Sequence, residues 1–138
     1  MNIYHTYYHY LTKFSVLGGL YRKFWLYKKF DTLLKGKILD VGCGLGHYLA
    51  FHHGAKGVDV NPLIVEDCTK RGLDVSVMPL DTLPFKDLYF DSILLDNVLE
   101  HIEHPIPLLH EINRVLKNDG IFLVGIPGVK GMAYDKDH

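Results

Sequence analysis

The stretch Lys37-Ile38-Leu39-Asp40-Val41-Gly42-Cys43-Gly44-Leu45-Gly46 decides the fold of this chain. Its apolar start predicts a buried strand, and glycine at every second position predicts a tight turn that leads into a helix over about residues 47–53. Glycine has no Cβ atom, so this turn can bring backbone N–H groups and a helix N-terminus close to a bound molecule. The stretch therefore indicates a place for a nucleotide-like ligand, although glycines also serve plain turns.

The spacing of the glycines separates two kinds of cofactor site. A dinucleotide fingerprint needs its third glycine at position 47, which is a histidine here. The observed G-x-G-x-G, preceded by Asp40, resembles motif I of the class I S-adenosylmethionine-dependent methyltransferases, in their type 11-like form. This spacing disfavours the alternative of a nicotinamide-dependent oxidoreductase.

Strand and helix patterns alternate from residue 37 onward, which predicts an α/β fold with a doubly wound parallel sheet. The resemblance implies a Rossmann-like sheet with strand order 3-2-1-4-5. The pattern predicts further strands over residues 56–60, 75–78, 93–95 and 121–126, helices over 62–71 and 106–116, and a turn at Asn-Asp-Gly 118–120.

Further segments resemble the same family over residues 37–128. They are Leu-Pro-Phe at 83–85, Leu-Glu-His at 99–101 and the run from Glu111 to Leu116. The family usually has seven strands, and this chain provides five. We therefore expect either a fragment truncated after strand five or a second chain, in a homodimer or with another partner, that covers the strand-five edge. Residues after that strand often belong to the acceptor site of the family, here Tyr134, Asp135, Asp137 and His138.

One carboxylate has a position suited to a ribose. Asp59 ends the second predicted strand, 17 residues after Gly42. A carboxylate there can accept hydrogen bonds from both ribose hydroxyls. The resemblance extends the predicted S-adenosylmethionine site to Asp40, Gly42, Cys43, Gly44, Gly46, Asp59, Val60, Leu80, Asp81, Asn97 and Val98.

The adenine contact departs from the family pattern. The position that usually carries an acidic residue is Pro79, so Asp81 is the substitute and Leu80 offers its backbone and side chain. Of the histidines near the fourth strand, His101 is a candidate wall of the pocket and a weaker candidate for a catalytic base. Their spacing does not favour a metal site, and we expect no metal.

Residues 1–35 differ in composition from residues 36–138, the predicted methyltransferase core. Ten of the first thirty residues are aromatic, with five cations interleaved, and Gly18-Gly19 predicts a break between two helical pieces, the second over about residues 20–34. Three interpretations stay open: an amphipathic extension packed on the core, a lid over the substrate mouth, and attachment to a membrane surface.

The whole chain has 138 residues, a formal charge of −1 and two cysteines, Cys43 and Cys68. It shows no basic excess that would indicate a nucleic-acid partner, no secretory signal and no uncharged run near the roughly 18 residues of a membrane span. We therefore expect a cytoplasmic enzyme that methylates a small molecule or metabolic intermediate. The alternative is a truncated, non-catalytic subunit that keeps the fold and binds the cofactor or a partner.

Overall fold

The computed structural model describes residues 3–12, 19 and 21–128. The predicted break at Gly18 and the predicted acceptor-site residues Tyr134, Asp135, Asp137 and His138 lie outside these ranges. The strands are β1 (Ile38–Val41), β2 (Lys56–Asp59), β3 (Val75–Val77), β4 (Phe90–Asp96) and β5 (Leu116–Gly125). The helices are α1 (Ile3–Thr12), α2 (Tyr27–Leu33), α3 (His47–Phe51), α4 (Pro62–Lys70) and α5 (Ile106–Val115).

The sheet has the order β3-β2-β1-β4-β5, and every neighbouring pair is parallel. The sequence prediction of the fold class and of this strand order is confirmed. Because the carboxyl ends of parallel strands lie on the same edge of a sheet, the turns after β1, β2 and β4 come together there.

Alternate residues of the central strands face opposite sides of the sheet, and each side has its own core. Ile38 and Leu94 pack with the first core, which includes Tyr27, Phe30 and Tyr48 from the helices. The opposite core contains apolar residues of β1, β2, β4 and α5, namely Leu39, Val41, Val58, Ile93, Leu95, Leu108, Ile112 and Val115. Burial on both faces explains why β1 and β4 have nearly continuous apolar sequences.

Two predicted elements are corrected by the structure. The fifth strand, predicted to start at residue 121, begins at Leu116, so the Asn-Asp-Gly run at 118–120 lies within the bounds of β5. Phe90 pairs with Leu116 while Ser92 pairs with Ile121, so the extra residues bulge out of the ladder. The predicted helix over residues 20–34 is divided into a π-helical turn, Arg22–Leu26, and α2.

Polar contacts help to attach the N-terminal helix α1 to the sheet domain. The Asn61 side-chain amide donates to the Tyr4 carbonyl at 3.0 Å, and the Tyr8 hydroxyl donates to Asp67 at 3.4 Å. Both contacts reach the region of α4, so α1 lies beside the carboxyl end of β2. In the described ranges, no helix is both long and apolar enough to cross a membrane.

Candidate functional site

The glycine-rich turn follows β1 and lies across the end of β2. Gly42, Gly44 and Gly46 all have left-handed backbones, with φ of 70°, 54° and 71°. The N–H groups of Gly42 and Cys43 both donate to the Val58 carbonyl, at 2.8 and 3.1 Å. The alternating glycines therefore provide a backbone conformation that other residues rarely adopt, and β2 holds the turn in place.

Gly42 also fills a position where no side chain fits. A Cβ atom added there would lie 2.6 Å from the Val98 Cγ2 atom, a methyl group on the turn after β4. The same test at Gly44 meets only Leu11 Cδ1, at 3.8 Å. The Gly42 position therefore lets two turns from neighbouring strands approach each other closely.

Asp59 lies at the end of β2, with only 5% of its surface exposed. Its Oδ2 accepts from the Gly44 N–H at 3.0 Å, and its Oδ1 accepts from the Asn61 N–H at 2.9 Å. Burial raises the pKa of Asp59, while the backbone N–H groups of Asn61 and Gly44 act in the opposite direction. The backbone N–H of Val60 is a further donor to this carboxylate, which has about four acceptor sites in all and so keeps acceptor capacity beyond its backbone donors.

Asn97 and Val98 form the turn after β4. Asn97 has φ of 54°, and its N–H donates to the Gly125 carbonyl of β5 at 2.9 Å. Asparagine is one of the few residues other than glycine that adopts this conformation readily. A 3-10 turn, Leu99–His101, follows and carries His101 to the same end of the sheet.

A cavity of about 280 Å³ opens among these turns. Its lining combines a carboxylate and an amide with a mainly apolar wall, and comprises Tyr7, Val41, Gly42, Asp59, Val60, Met78, Leu80, Asn97, Val98, His101, Ile102 and Leu108. Concave, mostly apolar sites with a few convergent polar groups are the usual form of small-ligand sites.

The structure brings seven of the sequence-predicted residues to this cavity: Gly42, Asp59, Val60, Leu80, Asn97, Val98 and His101. Asp40, Cys43, Gly44, Gly46 and Asp81 do not line it. Gly44 still contributes through its hydrogen bond to Asp59, and Gly46 is the residue that precedes α3. Asp81 is exposed on the loop after β3, whereas its neighbour Leu80 reaches the cavity.

Asp40 lies in β1 and Cys43 lies in the turn itself, and neither lines the cavity. Asp40 is 5% exposed, and burial, with Asp96 and Asp59 nearby, raises its pKa well above the usual range. The Cys43 and Cys68 thiols lie 3.7 and 3.5 Å from the same Gly44 carbonyl oxygen. A hydrogen bond with Cys68, followed by burial, raises the pKa of Cys43. A raised pKa keeps the Cys43 thiol protonated, so this environment does not favour a nucleophile.

Sequence reasoning did not select Tyr7 of α1, which also lines the cavity. Burial, and then the Asp59 carboxylate, raise the pKa of Tyr7 to about 12. The Tyr7 hydroxyl therefore stays protonated at neutral pH and can act as a hydrogen-bond donor. The aromatic composition of residues 1–30 was the available signal, but it does not indicate which ring faces the cavity.

The acidic and histidine residues near β4 do not form a metal centre. Among the described residues, no group of three or more His, Cys, Asp or Glu side chains could hold a metal ion. His101 Nε2 lies 3.9 Å from Glu100 Oε1. Glu100 Oε2 is buried and has no hydrogen-bond partner within the described part of the chain.

The methyltransferase domain family matches residues 39–124, which is more than half of the chain. This chain belongs to the methyltransferase domain family. An uncharacterised protein of Methanocaldococcus jannaschii is 37% identical over 92 residues, covering 67% of this chain and 45% of that protein. A probable tRNA methyltransferase 9B of Mus musculus is 34% identical over 92 residues, covering 63% of this chain and 21% of that protein.

Among solved structures, a SAM-dependent methyltransferase of Thermotoga maritima, described as a possible histamine N-methyltransferase, has a TM-score of 0.80 and 25% identity. The alignment covers 98% of this methyltransferase domain and 68% of that chain. The domain spans less than half the length of both sequence relatives.

S-adenosylmethionine is the cofactor that this fold family implies. The residues present fit it, because the cavity offers a buried carboxylate for a diol, apolar walls for a flat ring, and a glycine, Gly42, where the backbone must come close. The carboxyl edge of β1, β2 and β4 is also the place where open parallel sheets bind ligands.

Proposed function

We propose that this methyltransferase domain transfers the methyl group of S-adenosylmethionine to a small molecule or metabolic intermediate. The observation that carries the proposal is the cavity beside the glycine turn, where Asp59 is buried yet keeps acceptor capacity beyond its backbone donors. The possible histamine N-methyltransferase of Thermotoga maritima, with its TM-score of 0.80, supports a small acceptor by similarity.

We assign roles to the cofactor-binding residues as follows. Asp59 would accept hydrogen bonds from the ribose hydroxyls, and Val60 would lie beside the same sugar. The turn of Gly42, Cys43, Gly44 and Gly46, supported from below by Asp40, would hold the carboxypropyl end.

The remaining predicted residues would hold the other parts of the cofactor. Leu80 would contact the adenine, with Asp81 at the rim of that subsite, and Asn97 and Val98 would line the methionine side. The bound cofactor supplies an electrophilic methyl group on a sulfonium.

The protein's part in the reaction is to align an acceptor and to exclude water. Met78, Ile102 and Leu108 provide apolar surface for this purpose. Tyr7 covers part of the cavity from α1 and offers a protonated hydroxyl. His101 is the side chain at the cavity that could receive a proton from an acceptor during attack, and otherwise it forms part of the wall.

Two alternatives have specific support. The similarity to a probable tRNA methyltransferase favours an RNA acceptor. Against this, residues 31–138 hold sixteen Asp and Glu but only ten Lys and Arg, which disfavours a polyanionic acceptor at the cavity. The second alternative is a non-catalytic subunit, because the domain spans less than half of its sequence relatives.

Calorimetric titration with S-adenosylmethionine tests the cofactor and the role of Asp59 together. We expect the wild-type chain to bind and Asp59→Ala to weaken binding about 100-fold, because hydrogen bonds to a charged group are lost. The matched control is Asp74→Ala, an exposed carboxylate paired with Lys56, which should bind as wild type. Asp59→Asn keeps an acceptor oxygen for the backbone donors. It takes the place of Asp59→Ala in the titration if that variant does not fold.

The outcomes separate the proposals. Absence of binding by a folded wild-type chain would favour the non-catalytic alternative. Unchanged affinity in both Asp59 variants would remove the ribose assignment but keep the cofactor. The acceptor class is then decided by comparing transfer of a radiolabelled methyl group to a small-molecule extract with transfer to tRNA. The rate of the same transfer by His101→Gln shows whether the reaction needs a proton acceptor.

We also propose that a second polypeptide, either another copy of this chain or a different partner, covers the outer edge of β5. In the described residues no strand pairs with that edge, and Phe122 and Val124 are 37% and 38% exposed. We retain the cytoplasm as the proposed location.

A further inference from the structure

The N-terminal part of the chain has a charge opposite to that of the rest. Residues 1–30 carry five of the fifteen Lys and Arg and none of the sixteen Asp and Glu. The following 108 residues therefore hold ten cations against sixteen anions. A cationic segment on an acidic domain indicates a binding function for an anionic surface that the domain itself does not provide.

The segment that enters α2 has two different faces. On the inner face, Tyr27 and Phe30 are each 6% exposed, and both pack edge-on against the Tyr48 ring. These contacts fix the segment on the domain. They also leave a second set of rings pointing away from it.

We define the outer aromatic face as Tyr21, Phe24, Trp25, Lys28 and Lys29. Tyr21, Phe24 and Trp25 are 65%, 52% and 73% exposed, and both lysines are exposed as well. Three exposed rings within five residues of sequence are uncommon on the surfaces of soluble proteins, where exposed apolar patches mark binding sites. Neither the sheet core nor the cavity uses these side chains.

The combination of side chains favours a lipid surface. Trp and Tyr partition to the boundary between headgroups and acyl chains, and neighbouring lysines are attracted to anionic headgroups. No described helix can cross a bilayer, so the segment would lie in the plane of the interface. We propose that the outer aromatic face docks this domain onto an anionic lipid bilayer.

Two other occupants fit less well. A second copy of the same face is disfavoured because residues 1–30 carry only positive formal charges, so two such faces repel. RNA stacks its bases on sheet platforms or in basic grooves, whereas these rings lie on an exposed helical segment. Membrane attachment is one of the three interpretations that the sequence leaves open for residues 1–35, and the exposed rings favour it.

Trp25 is the only tryptophan of the chain, so its fluorescence reports directly on this face. The 138-residue chain is titrated with vesicles of phosphatidylcholine containing about 30 mol% phosphatidylglycerol, and with vesicles of phosphatidylcholine alone. We expect a blue shift of the Trp25 emission and co-sedimentation with the anionic vesicles, both reversed by high salt, and little of either with the neutral ones.

Variants assign the effect to the outer aromatic face. Lys28→Gln/Lys29→Gln should weaken partitioning about 30-fold, since each lysine near an anionic surface contributes about fivefold. Lys56→Gln/Lys70→Gln removes the same charge from exposed ion pairs elsewhere and should change partitioning less than about twofold. Phe24→Ser keeps the Trp25 reporter and should reduce the blue shift, while circular dichroism verifies the fold.

Results of three kinds would overturn the proposal. The first is equal partitioning to neutral and anionic vesicles, or equal losses in the two lysine pairs. The second is an emission change with tRNA at the same ionic strength and none with vesicles, which would assign the face to RNA. The third is a lipid-independent blue shift that grows with protein concentration, which would assign the face to a contact between copies of this chain.

Discussion

At the scale of single residues, left-handed glycines of the chain differ in what surrounds them. Gly42 and Gly72 have similar backbones, with φ of 70° and 79°. A Cβ atom at Gly42 would meet Val98 Cγ2 at 2.6 Å, whereas one at Gly72 would meet nothing within 4 Å. Alanine substitutions at the two positions therefore separate two losses of stability. One comes from the left-handed backbone conformation, and the other comes from the close approach between Gly42 and Val98 at the cavity.

Gly42→Ala should lose both stability and cofactor binding, while Gly72→Ala should lose only stability. Each alanine in the left-handed region costs about 1 kcal/mol of the free energy of unfolding. In Gly42→Ala the displacement of Val98 lowers the free energy of unfolding by about 1–3 kcal/mol more, and it narrows the cavity. Urea denaturation gives the stabilities, and calorimetric titration with S-adenosylmethionine gives the affinities. Equal affinities in the two variants would show that the contact between Gly42 and Val98 does not shape the site.

The sequence predicted part of this site because some signals are local. The G-x-G-x-G spacing and the position of Asp59 lie within one strand–helix–strand unit, so periodicity and chemistry located them. Tyr7 reaches the cavity from more than thirty residues earlier in the chain, and nothing in its neighbours distinguishes it from Tyr8 or Tyr10. The left-handed backbone of Asn97 is likewise fixed by tertiary contacts, through its bond to Gly125.

At the scale of elements, α5 holds the loop after β3 through one ion pair. Glu111 and Arg114 are joined by hydrogen bonds of 2.7 and 2.8 Å. Glu111 accepts from the Leu83 N–H at 2.8 Å, and Arg114 donates to the carbonyls of Phe85 and Leu83 at 2.8 and 3.0 Å. Since Leu80 belongs to the same loop, this clamp helps to fix one wall of the cavity.

The clamp predicts a pH dependence of stability. The hydrogen bond to Arg114, with that from Leu83, lowers the pKa of Glu111 to about 2 from its usual value of 4.5. A depressed carboxyl pKa contributes stability above the unfolded pKa, and this contribution is lost as the pH falls toward 2. Glu111→Gln should therefore be less stable than wild type by about 2 kcal/mol at neutral pH, with the difference shrinking below about pH 4.5.

Urea denaturation at several pH values measures that difference. The matched control is Asp87→Asn, which removes a carboxylate that also contacts Arg114 at 2.8 Å but has 74% of its side chain exposed. This control should change the free energy of unfolding by less than about 1 kcal/mol. A Glu111→Gln deficit that stays constant down to acidic pH would contradict the assignment.

The predicted strands match the structure well where both faces of the strand are buried. They match less well where an irregular pairing between strands determines where a strand begins. β1 and β4 have buried apolar residues on both faces, so the sequence pattern predicted their existence, and the family resemblance implied their order. The Asn-Asp-Gly run at 118–120 has the composition of a turn and lies in the irregular part of β5, where the residues between Leu116 and Ile121 leave the ladder. Lys117 supports this arrangement by donating to Asp91 at 2.7 Å, a contact across 26 positions of sequence.

At the scale of the whole molecule, the sheet ends in two different strands. β3 has three residues, whereas β5 has ten, and β5 alternates exposed Phe122 and Val124 with partly buried neighbours. A long edge with exposed apolar residues is a template for pairing with another chain, while a short edge is not. The strand order was predictable from the family resemblance. The exposure of side chains on β5 was not, because it depends on which parts of the sheet the rest of the fold covers.

The β5 edge predicts self-association of the 138-residue chain at micromolar concentration. Val124→Lys should weaken it at least about tenfold, because a charge on an edge strand opposes pairing with another strand. Val77→Lys is the matched control, since Val77 is 49% exposed on β3 at the opposite edge, and it should associate as wild type. Sedimentation velocity over a range of concentrations measures both variants. A wild-type chain that stays monomeric, or equal effects of the two lysines, would show that β5 does not mediate the contact.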